Sequence, residues 1–385
     1  MRRRLAVLLV DALGFALAER TPGFAAVLPH RRRLETVLGF SSGALPTLFT
    51  GRLPCEHGRW LMYRRAPRAG GRSVFAGFGW LGLLPPRVRR SWRLSVALTR
   101  LVARRGVRGY FSLYDVPREL LAQFDLAERA DIFAPGSLPG DSLWDTATRA
   151  GVRWRGWNWR TPEPEALAAM ERALADGPEE FLFCYTAELD ALLHLEGSAG
   201  PGVRARLALY DAWLTRVSDA ALRRGEELAL VLLSDHGMVD VRGTVDVMGA
   251  LARLSCRWPR DYLPFFDSTC ARFWWRSAAA RDEVHAALRG SPGGRWLADD
   301  ELERAGALFP GREYGEEVYL LDPGVLMVPS FMGTRPLAGM HGYDPAYPAM
   351  AALIGSSVPV PEEVRHLKDV RGFLEAGLAW LRGAR

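Results

Sequence analysis

Lysine and asparagine are almost missing from this chain: Lys368 and Asn158 are the single examples of each in 385 residues. Nearly all of its positive charge is therefore arginine. The formal excess of +6 could attract a polyanion. No nucleic-acid recognition motif accompanies it, and a GC-rich coding sequence explains the arginine equally well. Cysteine is scarce too. Cys55, Cys184, Cys256 and Cys270 form no C-x-x-C pair and no disulfide-framework spacing, so reduced thiols and a cytoplasmic location are expected. Long apolar runs are lacking as well. None approaches the ~18 residues of a membrane span. The opening "MRRRLAVLLVDALGF" imitates a signal peptide, but its apolar run stops at Val10 before Asp11. That is short for a signal core, and it reads as a buried strand. There are no internal repeats and no long disordered tract.

What is present is the composition of a globular enzyme, 49% hydrophobic and 24% charged. The length suits one large α/β domain or two ordinary ones. Three continuous apolar runs, "LAVLLVD", "EFLFCYTAELD" and "LALVLLSDHGM", read as fully buried parallel strands. Helical patterns lie between them. One spans 163–174, with proline near its start and glycine after its end; another is "VRARLALYDAWLTRVSDAALRRG". This alternation predicts an α/β fold, a doubly wound, mostly parallel sheet flanked by helices. Two segments break it and read as caps or insertions. The Arg/Trp-rich stretch 64–140 is one, and 255–335, of α+β character, is the other. The core is then 1–63, 141–254 and 336–385.

Such sheets place ligands at the carboxyl ends of their strands. Asp11, Asp190 and Asp235 all fall at or just after those ends. His194 follows Asp190 by one helical turn, His236 follows Asp235 directly, and His341 stands in "GMHGYD", where glycines allow a ligand close to the backbone. A single Asp at a strand end is usually a turn or helix cap, and Asp-x-x-x-His is usually an ordinary helix pair. An Asp-His pair directly after a buried strand is different, because it needs partners. Oxygen and imidazole ligands without thiolate suit zinc or manganese.

The order Asp, Ser, Asp-x-x-x-His, Asp-His-Gly-Met, His-Gly resembles the alkaline phosphatase superfamily, most closely its nucleotide pyrophosphatase/phosphodiesterase branch. The resemblance covers roughly 1–63, 141–250 and 336–385. It implies two divalent ions, one held by Asp190, His194 and His341. The other would be held by Asp11, Asp235, His236 and the nucleophile. The family's nucleophile stands ten residues before the glycine of a "TG" that closes an apolar run, which in "SSGALPTLFTG" selects Ser41. Ser42 would then face away or cap the helix through its hydroxyl. The family also has an asparagine some twenty residues further on, where this chain has Met62. That phosphate contact is then missing, or supplied by Tyr63, His57 or an arginine. The sulfatase pattern C/S-x-P-x-R is absent from Ser41 to Leu45.

The implied activity is hydrolysis of a small-molecule phosphoester, a phosphodiester or pyrophosphate, through a phosphoseryl intermediate. A phosphomonoesterase or phosphotransferase on the same site is the near alternative, and an inert metal-binding partner module the remote one. The segment 73–106 mixes Phe, Trp and Leu with clustered arginine. It reads as a cap packed on the core, with peripheral membrane contact as the other option.

Overall fold

The computed structural model describes residues 2–67, 72–289 and 293–383. Its centre is a six-stranded sheet. In chain order the strands are β1 (Arg3–Val10), β2 (His30–Leu34), β3 (Trp154–Trp157), β4 (Phe181–Thr186), β5 (Glu227–Leu233) and β6 (Ala352–Ser356), and they lie side by side as β2-β6-β5-β1-β4-β3. β3, β4, β1 and β5 run parallel, with Leu9 opposite both Tyr185 and Leu233. β6 is antiparallel to β5 and to β2. The three apolar runs are β1, β4 and β5, neighbouring parallel strands inside the sheet, as expected.

Uninterrupted apolar sequence is required because both faces are covered. Alternation along β1 divides the coverage. Ala6, Leu8 and Val10 pack with helices Glu163–Asp176 and Pro201–Arg223 through Leu167, Met170, Trp213 and Leu214. Leu5, Val7 and Leu9 pack with helix α1 (Ser41–Thr50) and with helix Leu367–Leu381 through Leu48, Phe49 and Leu374. The next residue of that second register is Asp11. It therefore points to the face that α1 covers, and α1 begins with Ser41.

A second, antiparallel sheet orders strands Tyr262–Phe266, Cys270–Trp275, Glu317–Leu321 and Gly294–Trp296. The stretch after Tyr63 packs onto it: Phe75, Phe78, Leu98 and Val102 share one apolar cluster with Phe265 and Phe273. Arg272 pins the junction. It is fully buried, donates to Asp267 Oδ2 at 2.8 Å and to the Tyr63 and Tyr314 carbonyls, and lies over the Phe265 ring. A buried guanidinium is tolerated only with such partners.

Candidate active site

Asp11 follows β1, and its amide donates to the Thr186 carbonyl, which continues the β1–β4 register by one step. Ala12 then turns the chain at φ 62°, and its N–H donates to Asp235 Oδ1. Asp235 and His236 follow the end of β5 by the same logic. Asp190 and His194 lie one turn apart on helix α2 (Glu188–Glu196), which opens just after β4. His341 arrives from the other side of the chain and stacks on His236, ring centroids 3.9 Å apart. Parallel strands ending in one row are what brings these segments together.

Two groups result, each with ligand atoms within 4.8 Å of one another: Asp11, Asp235 and His236, and Asp190, His194 and His341. Ser41 belongs to the first. Its Oγ lies 3.0 Å from His236 Nε2 and 3.3 and 3.4 Å from the two Asp11 oxygens. His236 Nε2 is itself 3.3 Å from Asp11 Oδ1 and from Asp235 Oδ2. In the second group Asp190 Oδ1 lies 3.4 Å from His194 Nε2 and 3.6 Å from His341 Nε2.

These arrangements call for positive charge. His194 Nδ1 faces the Gly339 carbonyl at 2.8 Å and His236 Nδ1 the Gly237 carbonyl at 3.0 Å. A carbonyl only accepts, so each Nδ1 carries the proton, and a neutral ring turns the Nε2 lone pair toward carboxylate oxygens. Asp190 Oδ1, Asp235 Oδ2 and His341 Nδ1 are buried without a hydrogen-bond partner. Among the described residues no arginine or lysine pairs with the three aspartates. Burial, then the Asp235 and Asp190 carboxylates, push Asp11 well above the usual carboxylate range. Burial also pushes Asp190 up, and only protonated histidines, His194 donating from Nε2 first and then His341, would hold it low; with neutral rings that role falls to a cation. Burial, then His236, depresses His341 strongly. Orphaned buried acceptors and crowded like charges fit a divalent ion in each group.

Two sequence expectations need correction. Neither His57 nor Tyr63 replaces the missing asparagine. His57 is buried against Thr47 Oγ1 at 3.0 Å and is pushed down to about 3 by burial, while the Tyr63 hydroxyl donates to the Ser112 carbonyl at 2.8 Å. Of the two roles open to Ser42 the structure has the first: it faces away from the site, and its hydroxyl donates to the Trp60 carbonyl at 3.0 Å. The glycines around His341 serve protein packing rather than ligand approach. A Cβ on Gly339 would stand 2.6 Å from the Leu193 carbonyl oxygen, and one on Gly342 would stand 2.7 Å from the Phe40 ring.

Tyr185 was missed by the motif reading. Its hydroxyl donates to Asp11 Oδ2 at 2.5 Å, orienting that carboxylate from behind. The signal was the strand register, which sets Tyr185 opposite Leu9 on the face Asp11 shares.

Residues 163–344 match the sequence model of the family described as type I phosphodiesterase / nucleotide pyrophosphatase. That stretch holds Asp190, His194, Asp235, His236 and His341. No curated protein matches the chain by sequence. Among solved structures, murine ectonucleotide pyrophosphatase/phosphodiesterase 5 is 17% identical, with 98% of this chain and 95% of that one covered and a TM-score of 0.66. The human counterpart is 15% identical over the same shares, at 0.65. An inactive threonine-to-alanine variant of the murine protein, in complex with AMP, is 18% identical, also at 0.65. At these identities the likeness speaks for the fold, and the family match speaks for the stretch that carries five of the six Asp and His residues. Residues 163–344 thus match the type I phosphodiesterase / nucleotide pyrophosphatase family, and the chain as a whole shares the fold of the ectonucleotide pyrophosphatase/phosphodiesterase 5 structures.

Proposed function

We propose that this chain hydrolyses phosphodiester or pyrophosphate bonds of small molecules, with Ser41 as nucleophile at a site whose residues would hold two divalent ions. The observation that carries the reading is the convergence of Ser41 Oγ with Asp11 and His236 at the first residue of a ten-residue helix. Asp190, His194 and His341 would hold one ion; Asp11, Asp235, His236 and Ser41 would hold the other. Three imidazoles and three carboxylates without thiolate favour zinc, with manganese second. Bound there, the ions would lower the pKa of a coordinated hydroxyl and neutralise charge on a phosphoryl group.

The chain's own residues divide the rest. Ser41 Oγ attacks phosphorus, the bond to the leaving oxygen breaks, and phosphoserine forms. Water then attacks phosphorus, the P–Oγ bond breaks, and the serine is restored. The hydroxyl proton of Ser41 has acceptors in place at His236 Nε2 and Asp11. The opening turn of α1 directs unpaired amides and the positive helix end at the phosphoryl oxygens. Tyr185 holds Asp11 in register through its hydroxyl.

The AMP carried by the murine neighbour supports a nucleotide-sized substrate. Asn158 donates to Asp131, so the chain's single asparagine is committed elsewhere and diester preference needs direct measurement. Rates on bis(p-nitrophenyl) phosphate and p-nitrophenyl phosphate, with zinc or manganese, test the reading. Faster diester turnover supports it, faster monoester turnover selects a phosphomonoesterase, and turnover of neither leaves an inert metal-binding module. For location we propose a reducing cytoplasm, supported by four free cysteines. Within the described residues no helix is long and apolar enough to cross a membrane.

A further inference from the structure

We infer that residues 80–104 form a docking face for the surface of an anionic phospholipid bilayer. The sequence here is one-sided in charge. Between Glu56 and Asp115 there are thirteen arginines and no acidic residue. Arg89 is paired, with Glu119 at 2.8 Å. Arg87, Arg90, Arg93, Arg100 and Arg104 form no ion pair among the described residues, and all five are exposed.

The same stretch exposes large apolar side chains. Leu83 is 88% exposed, Trp92 70% and Trp80 53%, and Val88, Val96 and Leu101 join them. Half of the twelve exposed large hydrophobic residues among the described ones thus fall within 80–101, a concentration that marks an interaction surface. Local geometry aligns them. Phe78–Leu83 is a 3-10 turn whose Phe78 and Leu81 are buried. Residues three apart eclipse in such a turn, so Trp80 and Leu83 share its outer side.

Helix Trp92–Arg104 continues the pattern. At about 100° per residue, Leu94, Leu98 and Val102 fall on one line, and Leu98 and Val102 are buried in the cluster shared with the second sheet. Trp92, Val96 and Ala103 fall on a second line, turned to solvent. Arg93, Arg100 and Arg104 form a third line beside it. The helix is therefore a cap on its inner face and an interfacial helix on its outer one: apolar stripe next to arginine stripe, the pattern that seats a helix at headgroup depth. The mount is rigid. Buried Arg118 donates to Ser95 Oγ on this helix at 2.9 Å and to the Leu113, Tyr114 and Val116 carbonyls.

Charge decides the occupant. A second copy would set arginine against arginine. A nucleic acid would satisfy the arginines, but it has no apolar phase for Leu83 and Val88. An anionic bilayer offers both, phosphate at its surface and hydrocarbon beneath. This inference does not depend on the reaction the chain catalyses.

The test is co-sedimentation of the full, metal-loaded chain with phosphatidylcholine vesicles, with and without phosphatidylglycerol, across a salt titration. The wild type should bind the anionic vesicles at low salt and be released as salt rises. Leu83→Asp/Trp92→Asp and Arg87→Ser/Arg93→Ser/Arg100→Ser should each bind at least ~10-fold more weakly. Both should keep the circular-dichroism spectrum and the melting temperature of the wild type, which certifies their fold. Absence of vesicle binding by the wild type overturns the inference, as does binding that neither variant weakens. Tight binding of a single-stranded oligonucleotide that survives Leu83→Asp/Trp92→Asp would reassign the face to polyanions.

Discussion

Ser41 and Ser42 are neighbours at the start of one helix, and replacing each by alanine should separate nucleophile from scaffold. Their side chains diverge by about 100°, and the structure gives them different partners. Ser41 Oγ meets Asp11 and His236. Ser42 Oγ makes one hydrogen bond, 3.0 Å to the buried Trp60 carbonyl. That contact is local and tight: a Cβ on Gly43 would stand 2.7 Å from the same oxygen. Its loss should cost about 1 kcal/mol of stability and, transmitted in full to the transition state, about 5-fold in rate. Loss of the Ser41 hydroxyl removes the attacking atom itself. Slow direct attack by water should remain, a fall of about 10⁴-fold or more, equivalent to about 5 kcal/mol. Ser41→Thr keeps the hydroxyl on a bulkier carbon and should retain part of the activity. The assay is kcat on bis(p-nitrophenyl) phosphate with metal content measured in the same samples, so that a lost ion is not mistaken for a lost nucleophile. An active Ser41→Ala enzyme beside a dead Ser42→Ala enzyme would refute the assignment.

Elemental analysis of the zinc- or manganese-reconstituted protein should find about two ions per chain, with activity lost to a chelator and regained on adding metal; Asp190→Ala or His341→Ala should retain about one, and turnover undiminished by metal removal would exclude the mechanism. Tyr185→Phe deletes the hydroxyl that orients Asp11 and should weaken metal binding about 10-fold or more, read by competition with a chromogenic chelator, while an unchanged affinity would leave Tyr185 a packing residue. Glu128 gives a pH test outside the metal site. Burial, relieved in part by the Tyr110 N–H and Arg59, pushes its carboxyl up to about 7 from 4.5. The folded state therefore holds this proton more tightly than the unfolded state: the stability contribution is full below pH 4.5 and is lost as pH rises to about 7. Glu128→Gln cannot titrate, so its stability relative to wild type should rise by about 3 kcal/mol between pH 4 and 8, measured by urea unfolding at each pH. A pH-independent gap would show that Glu128 ionises normally.

Much of the core was legible because its signals are local. Apolar runs at Leu5–Val10, Phe181–Thr186 and Leu228–Leu233 need no partner to be read as buried strands, and each is followed closely by a carboxylate. β3 and β6 escaped. "WRGW" is short and half polar, and "ALIGS" is an antiparallel strand whose direction depends on β5 and β2. His57 and Tyr63 stood close in sequence to the missing asparagine, yet both are turned into the interior. Proximity along the chain does not set side-chain direction once a loop packs against other elements. Tyr185 belonged to an aromatic-rich strand, and only the parallel register with β1 showed that its hydroxyl reaches Asp11.

The sequence by itself determined which ligand types the chain possesses, their order, and their attachment to strand ends and a helix start. Those properties follow from composition and short-range periodicity, which survive without a fold. Tertiary structure decided that Asp11, Asp190, Asp235 and His341 meet. It also decided which serine faces them and that the helix 92–104 turns its arginines outward. Each of these depends on the relative placement of segments distant in the chain. That placement is set by strand pairing and by burial of apolar faces against one another, neither of which any single segment contains.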